Sequence, residues 1–233
     1  MKKIILRQDT LSSQVKNYIL QLIMKEKLVA GMAVPSEMQL IQDLGVSRGV
    51  VREAYRSLAA LGILEIQSGK LPTIKKIDTN VLQLIINFAV ITEQVTHKDI
   101  LAVRRHLEMG CVHLAAINGK EEDFEKLREE MRLIKENFKD VDDFISHDLQ
   151  FHFILSRASG NTLLSILLQS LHEQLMTSMR AGLVAQSKKE KEYEIKIIEL
   201  HQRICDAVCT RDPERAVQAM AEHFENAIDA LID

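Results

Sequence analysis

The chain predicts a mainly α protein in two parts: a small one that includes a two-stranded β element, and a larger one made of helices alone. Three observations carry this reading. Apolar residues recur at intervals of three and four along most of the 233 residues, the mark of amphipathic helices. Strict alternation, the mark of a half-buried strand, is confined to residues 63–75. From residue 79 onward, 155 residues contain a single proline. Charge divides at the same place. Residues 1–78 hold 12 Lys and Arg against 7 Asp and Glu (+5), and residues 79–233 hold 18 against 26 (−8), which together make the −3 of the whole chain. A basic first part is suited to phosphate and the acidic remainder is not, so the expected domains are 1–78, which meets nucleic acid, and 79–233, which does not.

Residues 11–28 keep Leu11, Val15, Ile19, Leu22 and Ile23 at helical spacing, with Ser12 or Ser13 near the start. A connection over 28–35 contains Gly31 and Pro35. Ser36 is a helix N-cap, and Gln39 three residues later can complete a capping box. That second helix stops at Leu44-Gly45, where glycine supplies the positive φ of a tight turn. Ser47 caps a third helix whose apolar face is Val50, Val51, Ala54, Leu58 and Leu61, while Arg48, Arg52 and Arg56 recur every four residues on another face. Two helices joined by a glycine-containing turn, the second opening with arginine, form a helix-turn-helix. After Gly62, Ile63, Glu65 and Gln67 alternate with Leu64, Ile66 and Ser68; Gly69-Lys70 turns the chain and Thr73-Ile74-Lys75 returns it as a wing.

The larger part reads as six to seven antiparallel helices at about 80–93, 97–118, 121–138, 141–158, 161–185, 189–210 and 213–231. Gly119 closes one helix before the acidic start Glu121-Glu122-Asp123, Gly160-Asn161 is a C′ glycine followed by an N-cap, and Asp212-Pro213 is an N-cap with proline in the first turn. The charged run Ser187 to Glu194 reads as a solvated loop and helix start, and Met176 to Met179 as core filling.

Several classes are excluded. The apolar run Ile4 to Leu6 is far short of a signal sequence, and Leu82 to Ile91, interrupted by Gln83 and Asn87, is too short to span a bilayer. A cytoplasmic protein at the nucleoid, with no membrane partner, is expected. Cys111, Cys205 and Cys209 contain no CxxC pair and read as free thiols in a reducing compartment; Cys205 lies one turn after His201. There is no HExxH motif, no pair of Glu-x-x-His motifs and no glycine-rich phosphate loop, so an enzyme is not expected.

Asp148 and His152 stand four apart on one helix, and His201 and His223 lie on the two last helices. One carboxylate and three imidazoles are a competent set for zinc, nickel, manganese or iron. From spacing alone, core or surface histidines remain the commoner explanation in a chain with eight. His147, turned about 100° from Asp148, faces elsewhere. Arg180 either faces a cavity in the bundle or is a solvated surface residue.

Pro35-Ser36-Glu37, Leu44-Gly45-Val46-Ser47-Arg48 and Val51-Arg52-Glu53-Ala54 resemble the winged helix-turn-helix of the GntR family of bacterial repressors. The resemblance implies that Arg48 and Arg52 enter the major groove, that Gly69 and Lys70 form the wing tip on DNA, and that Ser36, Glu37, Ser47 and Gly49 belong to the same DNA-facing set. Met38 and Gly49 depart from residues common in the family, which bears on one backbone contact and on base preference. Asp148-Leu-Gln-Phe-His152, Ala158-Ser-Gly-Asn161, His201 and Ala216-x-x-x-Met220-x-x-His223 resemble the effector domain of the FadR subfamily, the FCD type. That resemblance implies a divalent metal, zinc first, on Asp148, His152, His201 and His223, holding a small carboxylate. Arg104-Arg-His-Leu107-Glu108 matches the family's Arg-x-x-Leu-Glu motif, which implies Arg104 as an effector-binding residue, with Arg180 the second candidate. The expected function is a homodimeric repressor on an inverted-repeat operator in double-stranded DNA, controlled by a small organic or sugar acid. A metal-independent regulator responding to acyl thioesters is the alternative within the family, and a metal-dependent enzyme the alternative outside it.

Overall fold

The structure, a computed structural model, describes residues 9–171, 174, 176, 180 and 191–232. Among these are ten helices and two short strands: α1 (Leu11–Lys25), α2 (Glu37–Leu44), α3 (Arg48–Ala60), β1 (Leu64–Glu65), β2 (Thr73–Ile74), α4 (Asn80–Ile91), α5 (His97–Asn118), α6 (Glu121–Asn137), α7 (Val141–Ala158), α8 (Thr162–Ser170), α9 (Lys191–Cys209) and α10 (Pro213–Ile232). Packing divides the chain between Val81 and Leu82 into two compact units.

In the first unit, α1 begins at Leu11, where the spacing places its start. Thr10 is the N-cap, its hydroxyl accepting from the Ser13 amide at 3.2 Å, and Ser12 is buried. The helix ends at Lys25 rather than residue 28, because Lys27 adopts φ +53° and the Leu28 amide donates back to the Ile23 carbonyl at 3.0 Å, a left-handed C-terminal closure. Ser36 and Ser47 cap α2 and α3 as their sequence positions require, accepting from the Gln39 and Val50 amides, and Gly45 between them has φ +65°. Val15 and Ile19 of α1, Leu40 of α2, Val51, Ala54, Tyr55 and Leu58 of α3, and Leu64 of β1 form one core. β1 and β2 pair antiparallel, Leu64 opposite Ile74 and Glu65 opposite Thr73. The connection before α2 contributes too: Ala33 bridges Thr73, and the Gly31 and Ile74 amides bond the Ile74 and Met32 carbonyls, each at 2.8 Å. This third edge has no alternating pattern, so only the pairing reveals it.

The second unit is helical throughout its described residues. α7 is its centre: Phe151 to Ser156 are buried in unbroken succession, so the helix is covered on every side. α5, α6 and α8 pack against it, α10 against α5, and α9 against α5, α6 and α10. Gly119 ends α5 with an ordinary φ of −58°; glycine is required there because an added Cβ would stand 2.5 Å from both the Ala115 carbonyl and the Phe124 ring. Gly160, at φ +70°, precedes Asn161, whose side chain accepts from the Leu163 and Leu164 amides, and Asp212 accepts from the Arg215 amide. The single helix expected over 161–185 is interrupted. α8 stops at Ser170, whose hydroxyl bonds the Leu167 carbonyl at 2.6 Å while the Leu171 amide tightens onto Leu168. Of the remainder, Gln174, Met176 and Arg180 are helical; most of Met176 to Met179, and residues 187–190 of the charged run, lie outside the described residues. Among the described residues no helix is long and apolar enough to cross a membrane.

Candidate functional site

The first unit presents its charges to water. Arg48 and Arg52 sit in the first two turns of α3, with side chains 70% and 50% exposed, and both lean on Glu37 at the start of α2: Arg52 Nε is 3.1 Å and Arg48 Nε 3.9 Å from Glu37 Oε2. Glu37 therefore aims the two arginines, while Ser36 and Ser47 set the ends of the helices that carry them. Gly49 is exposed in open space, its Cβ position meeting nothing nearer than Ser47 Oγ at 3.9 Å. Arg56 continues the exposed row. At the wing tip Gly69 has φ +75°, and Lys70 Nζ donates to Gln67 Oε1 at 2.8 Å, itself part of a surface chain through Glu65. Tyr55 anchors the frame beneath, its hydroxyl donating to the Pro35 carbonyl; burial, aided by Glu37, pushes that hydroxyl's pKa up.

The second unit buries its charges. Asp148 and His152 on α7, His201 on α9, and Arg104 and Glu108 on α5 are each at most 5% exposed, and His223 on α10 closes the group. One ring nitrogen from each of His152, His201 and His223 lies within 4.8 Å of the others. Asp148 Oδ1 is 2.7 Å from His201 Nε2, and Oδ2 is 3.7 Å from His152 Nε2. Around them, Phe151 meets the His201 ring edge-on at 5.3 Å, and Phe224 packs 5.3 Å from the Arg104 guanidinium carbon.

Tautomers can be read from these contacts. His201 Nδ1 is 2.8 Å from the Ile197 carbonyl. A carbonyl only accepts, so Nδ1 carries the proton, and in the neutral ring Nε2 turns a lone pair toward an Asp148 oxygen. Such a contact requires a second proton, or a cation that both atoms ligate. Burial, the largest influence on Asp148, raises its pKa; His152, His201 and Arg104 outweigh it and hold the carboxyl well below the usual range. Burial and the neighbouring His201 and His152 push His223 well down, toward the neutral form that ligates metal. Asp148 Oδ2 and His152 Nε2 are buried without a hydrogen-bond partner among the described groups, and buried polar atoms of this kind call for one. One carboxylate and three imidazoles converging in an apolar shell fit a divalent ion of the zinc class.

Glu108 has a role that its place in the Arg-x-x-Leu-Glu motif does not disclose. Its Oε1 accepts from Arg104 Nε and its Oε2 contacts His152 Nδ1, so one carboxylate ties the arginine to the histidine. Burial opposes its charge, but Arg104 and His152 lower its pKa all the same. The i, i+4 spacing from Arg104 was the available signal; the histidine contact crosses helices. Arg104 Nη2 lies 4.0 Å from Asp148 Oδ2 and is itself a buried donor without a hydrogen bond. Arg180 is not brought to this group. It is exposed and paired with Asp142 at the start of α7, about 9 Å along the helix axis from Asp148, six residues at 1.5 Å each. His147 also faces away, 2.9 Å from Glu130.

Comparison with known proteins fits both sites. Residues 11–71 match the family of bacterial regulatory proteins of the gntR type, and residues 99–226 match the FCD domain. The Glc operon transcriptional activator of Escherichia coli K12 is 32% identical, over 94% of this chain and 88% of that protein. The transcriptional regulator LutR of Bacillus subtilis is 29% identical over 90% and 96%, and the transcriptional repressor NanR of Cronobacter sakazakii 26% over 95% and 85%. The solved structure of a Streptococcus agalactiae GntR shares the fold, with a TM-score of 0.67 at 24% identity over 92% of this chain and 97% of that one. These relatives are regulators of transcription, not enzymes. With a DNA-reading winged helix-turn-helix followed by an FCD domain, this chain belongs to the GntR family of bacterial transcriptional regulators.

Proposed function

We propose that this regulator is a repressor that senses a small carboxylate through a divalent metal bound by Asp148, His152, His201 and His223, with Arg104 taking the acid's carboxylate. The observation that carries the reading is the buried group itself: three ring nitrogens within 4.8 Å of one another, and beside them a guanidinium with an unpartnered Nη2. The metal would supply a second positive charge for the carboxylate and for a neighbouring hydroxyl or keto oxygen. The protein's own part is orientation. Glu108 holds Arg104 and His152 in register, the Ile197 carbonyl fixes the His201 tautomer, and the Phe151 and Phe224 rings keep water out, which strengthens each charge interaction.

At the other end, two copies related by a two-fold axis would set two α3 helices on the half-sites of an inverted repeat. Arg48 and Arg52 would exchange Glu37 for guanine edges and phosphates, and Lys70 would exchange Gln67 for phosphate. Repression is the simpler outcome, since occupancy of the operator alone is enough. Linkage then requires operator DNA to weaken acid binding by the factor with which the acid weakens operator binding, typically about 5 to 150-fold.

The test is thermal melting of the metal-analysed protein against hydroxy-, keto-, di- and sugar carboxylates, with acyl thioesters included. An effector at a hundred times its Kd adds about 2.7 kcal/mol, and for a chain of this size each kcal/mol moves Tm by about 2–4 °C. One acid giving that rise, abolished by a chelator and by His201→Ala or His223→Ala, is the expected result. A rise with acyl thioesters alone, or one that survives metal removal, overturns the metal-mediated reading.

A further inference from the structure

A groove of about 270 Å³ runs between α6 and α9. Its floor holds Cys205 and Cys209, four residues apart on α9, with Sγ atoms 4.0 Å from each other. Met131, a buried thioether, also lines it, and Arg128, Arg132 and Lys135 supply positive charge from α6. Both thiols are free, Cys205 buried and Cys209 half-buried. Neither the DNA-reading unit nor the histidine cluster uses them.

The spacing discriminates between the chemistries open to such a pair. A disulfide needs Cβ atoms about 3.5–4.5 Å apart, whereas positions i and i+4 of a helix hold theirs at about 5–6 Å; direct oxidation would unwind the last turns of α9. One ion between two sulfurs fits better. With metal–sulfur bonds of about 2.3 Å, two thiolates stand about 3.8 Å apart at the tetrahedral angle and about 4.6 Å apart when opposite; the observed 4.0 Å lies between. Charge and ligand number then select the ion. A four-coordinate divalent metal needs more N, O or S donors, and among the described residues the histidine trio is the only gathering of three or more His, Cys, Asp or Glu ligand atoms. A soft monovalent ion is satisfied by two or three sulfurs. Its complex with two thiolates carries a net charge of −1, in a groove lined by three cationic side chains and one carboxylate, Asp206.

We infer that Cys205 and Cys209, with Met131 as a third sulfur donor, form a binding site for one soft monovalent metal ion of the Cu(I) class. Binding releases two thiol protons to solvent, forms two metal–thiolate bonds and transfers no electrons. The ion bridges the last turns of α9 in the helical row that begins at His201 and continues through Cys205 to Cys209. The neighbouring Cys205 thiol eases loss of the Cys209 proton, as does Arg128, whereas Cys209 and burial push the Cys205 thiol well up, so that its proton leaves only in exchange for the ion.

The test uses the full-length reduced protein in competition with a chromogenic Cu(I) chelator. The native chain should withdraw one equivalent more than Cys209→Ser does, and should show a sulfur-to-metal charge-transfer band in the near ultraviolet. Cys209→Ser and Cys205→Ala should bind at least tenfold more weakly and lack the band. Cys111→Ser should behave as native, because Cys111 lies on α5 and does not line the groove. Cys209 is half-buried, so its serine variant carries the test should Cys205→Ala fold poorly. Equal withdrawal by native protein and Cys209→Ser, or a native complex without the band, overturns the assignment.

Discussion

The two units use one pairing, arginine with glutamate, in opposite ways. In the DNA-reading unit Arg52 and Arg48 share Glu37 at the surface, where such a pair is worth about 0–1 kcal/mol and exchanges easily. In the bundle Arg104 and Glu108 are buried with His152 and Asp148, where removing one partner strands a charge and costs about 3–5 kcal/mol. The difference follows from what each must do. A DNA reader has to release its arginines to a new partner, so they are held weakly. A bundle that senses small anions, as proposed for this one, has to keep several charges converged in an apolar shell, so each is held by the others.

The comparison breaks most visibly at its two glutamates. Glu108→Ala should destabilise the bundle by about 3–5 kcal/mol, a fall in Tm of about 6–20 °C at about 2–4 °C per kcal/mol; a change of under 2 °C by calorimetry would mean the buried group is not held as described. Glu108→Gln keeps the shape and removes the charge. It should weaken metal binding by about 10 to 100-fold, read by competition with a metallochromic chelator, and unaltered affinity would remove Glu108 from its positioning role. On the exposed side, Arg48→Ala should lose about 1–3 kcal/mol of discrimination between operator and random DNA, and equal losses on both would end its assignment as a base reader. Lys70→Ala should weaken binding evenly and reduce the slope of log K against log salt by about 1; an unchanged slope would take Lys70 off the phosphates. Glu37→Ala should have the smallest effect on folding, less than about 1 kcal/mol, and a loss as large as that of Glu108→Ala would erase the contrast between the two units.

Much of this was legible in the chain because it is local. Ser36, Ser47, Asn161 and Asp212 cap helices where their positions say they should, and the alternation after Gly62 becomes the wing. Where reading failed, a competing local bond or a distant partner was responsible. Lys27 ends α1 early, and Ser170 interrupts the helix after Asn161 with no glycine or proline to announce it. The third edge of the wing at Ala33 has no periodicity at all.

The sequence by itself determined the helical periods, the caps, the arginine row of α3 and the four metal-ligand candidates, because each is a matter of spacing along one segment or of motif. Tertiary structure decided which charges meet. It joined Glu108 to His152, turned Arg104 toward Asp148, left Arg180 at the surface with Asp142, and opened the groove over Cys205 and Cys209. Those contacts lie between helices, and the side chain a helix presents to a neighbour depends on how the two pack, which no period within either one contains.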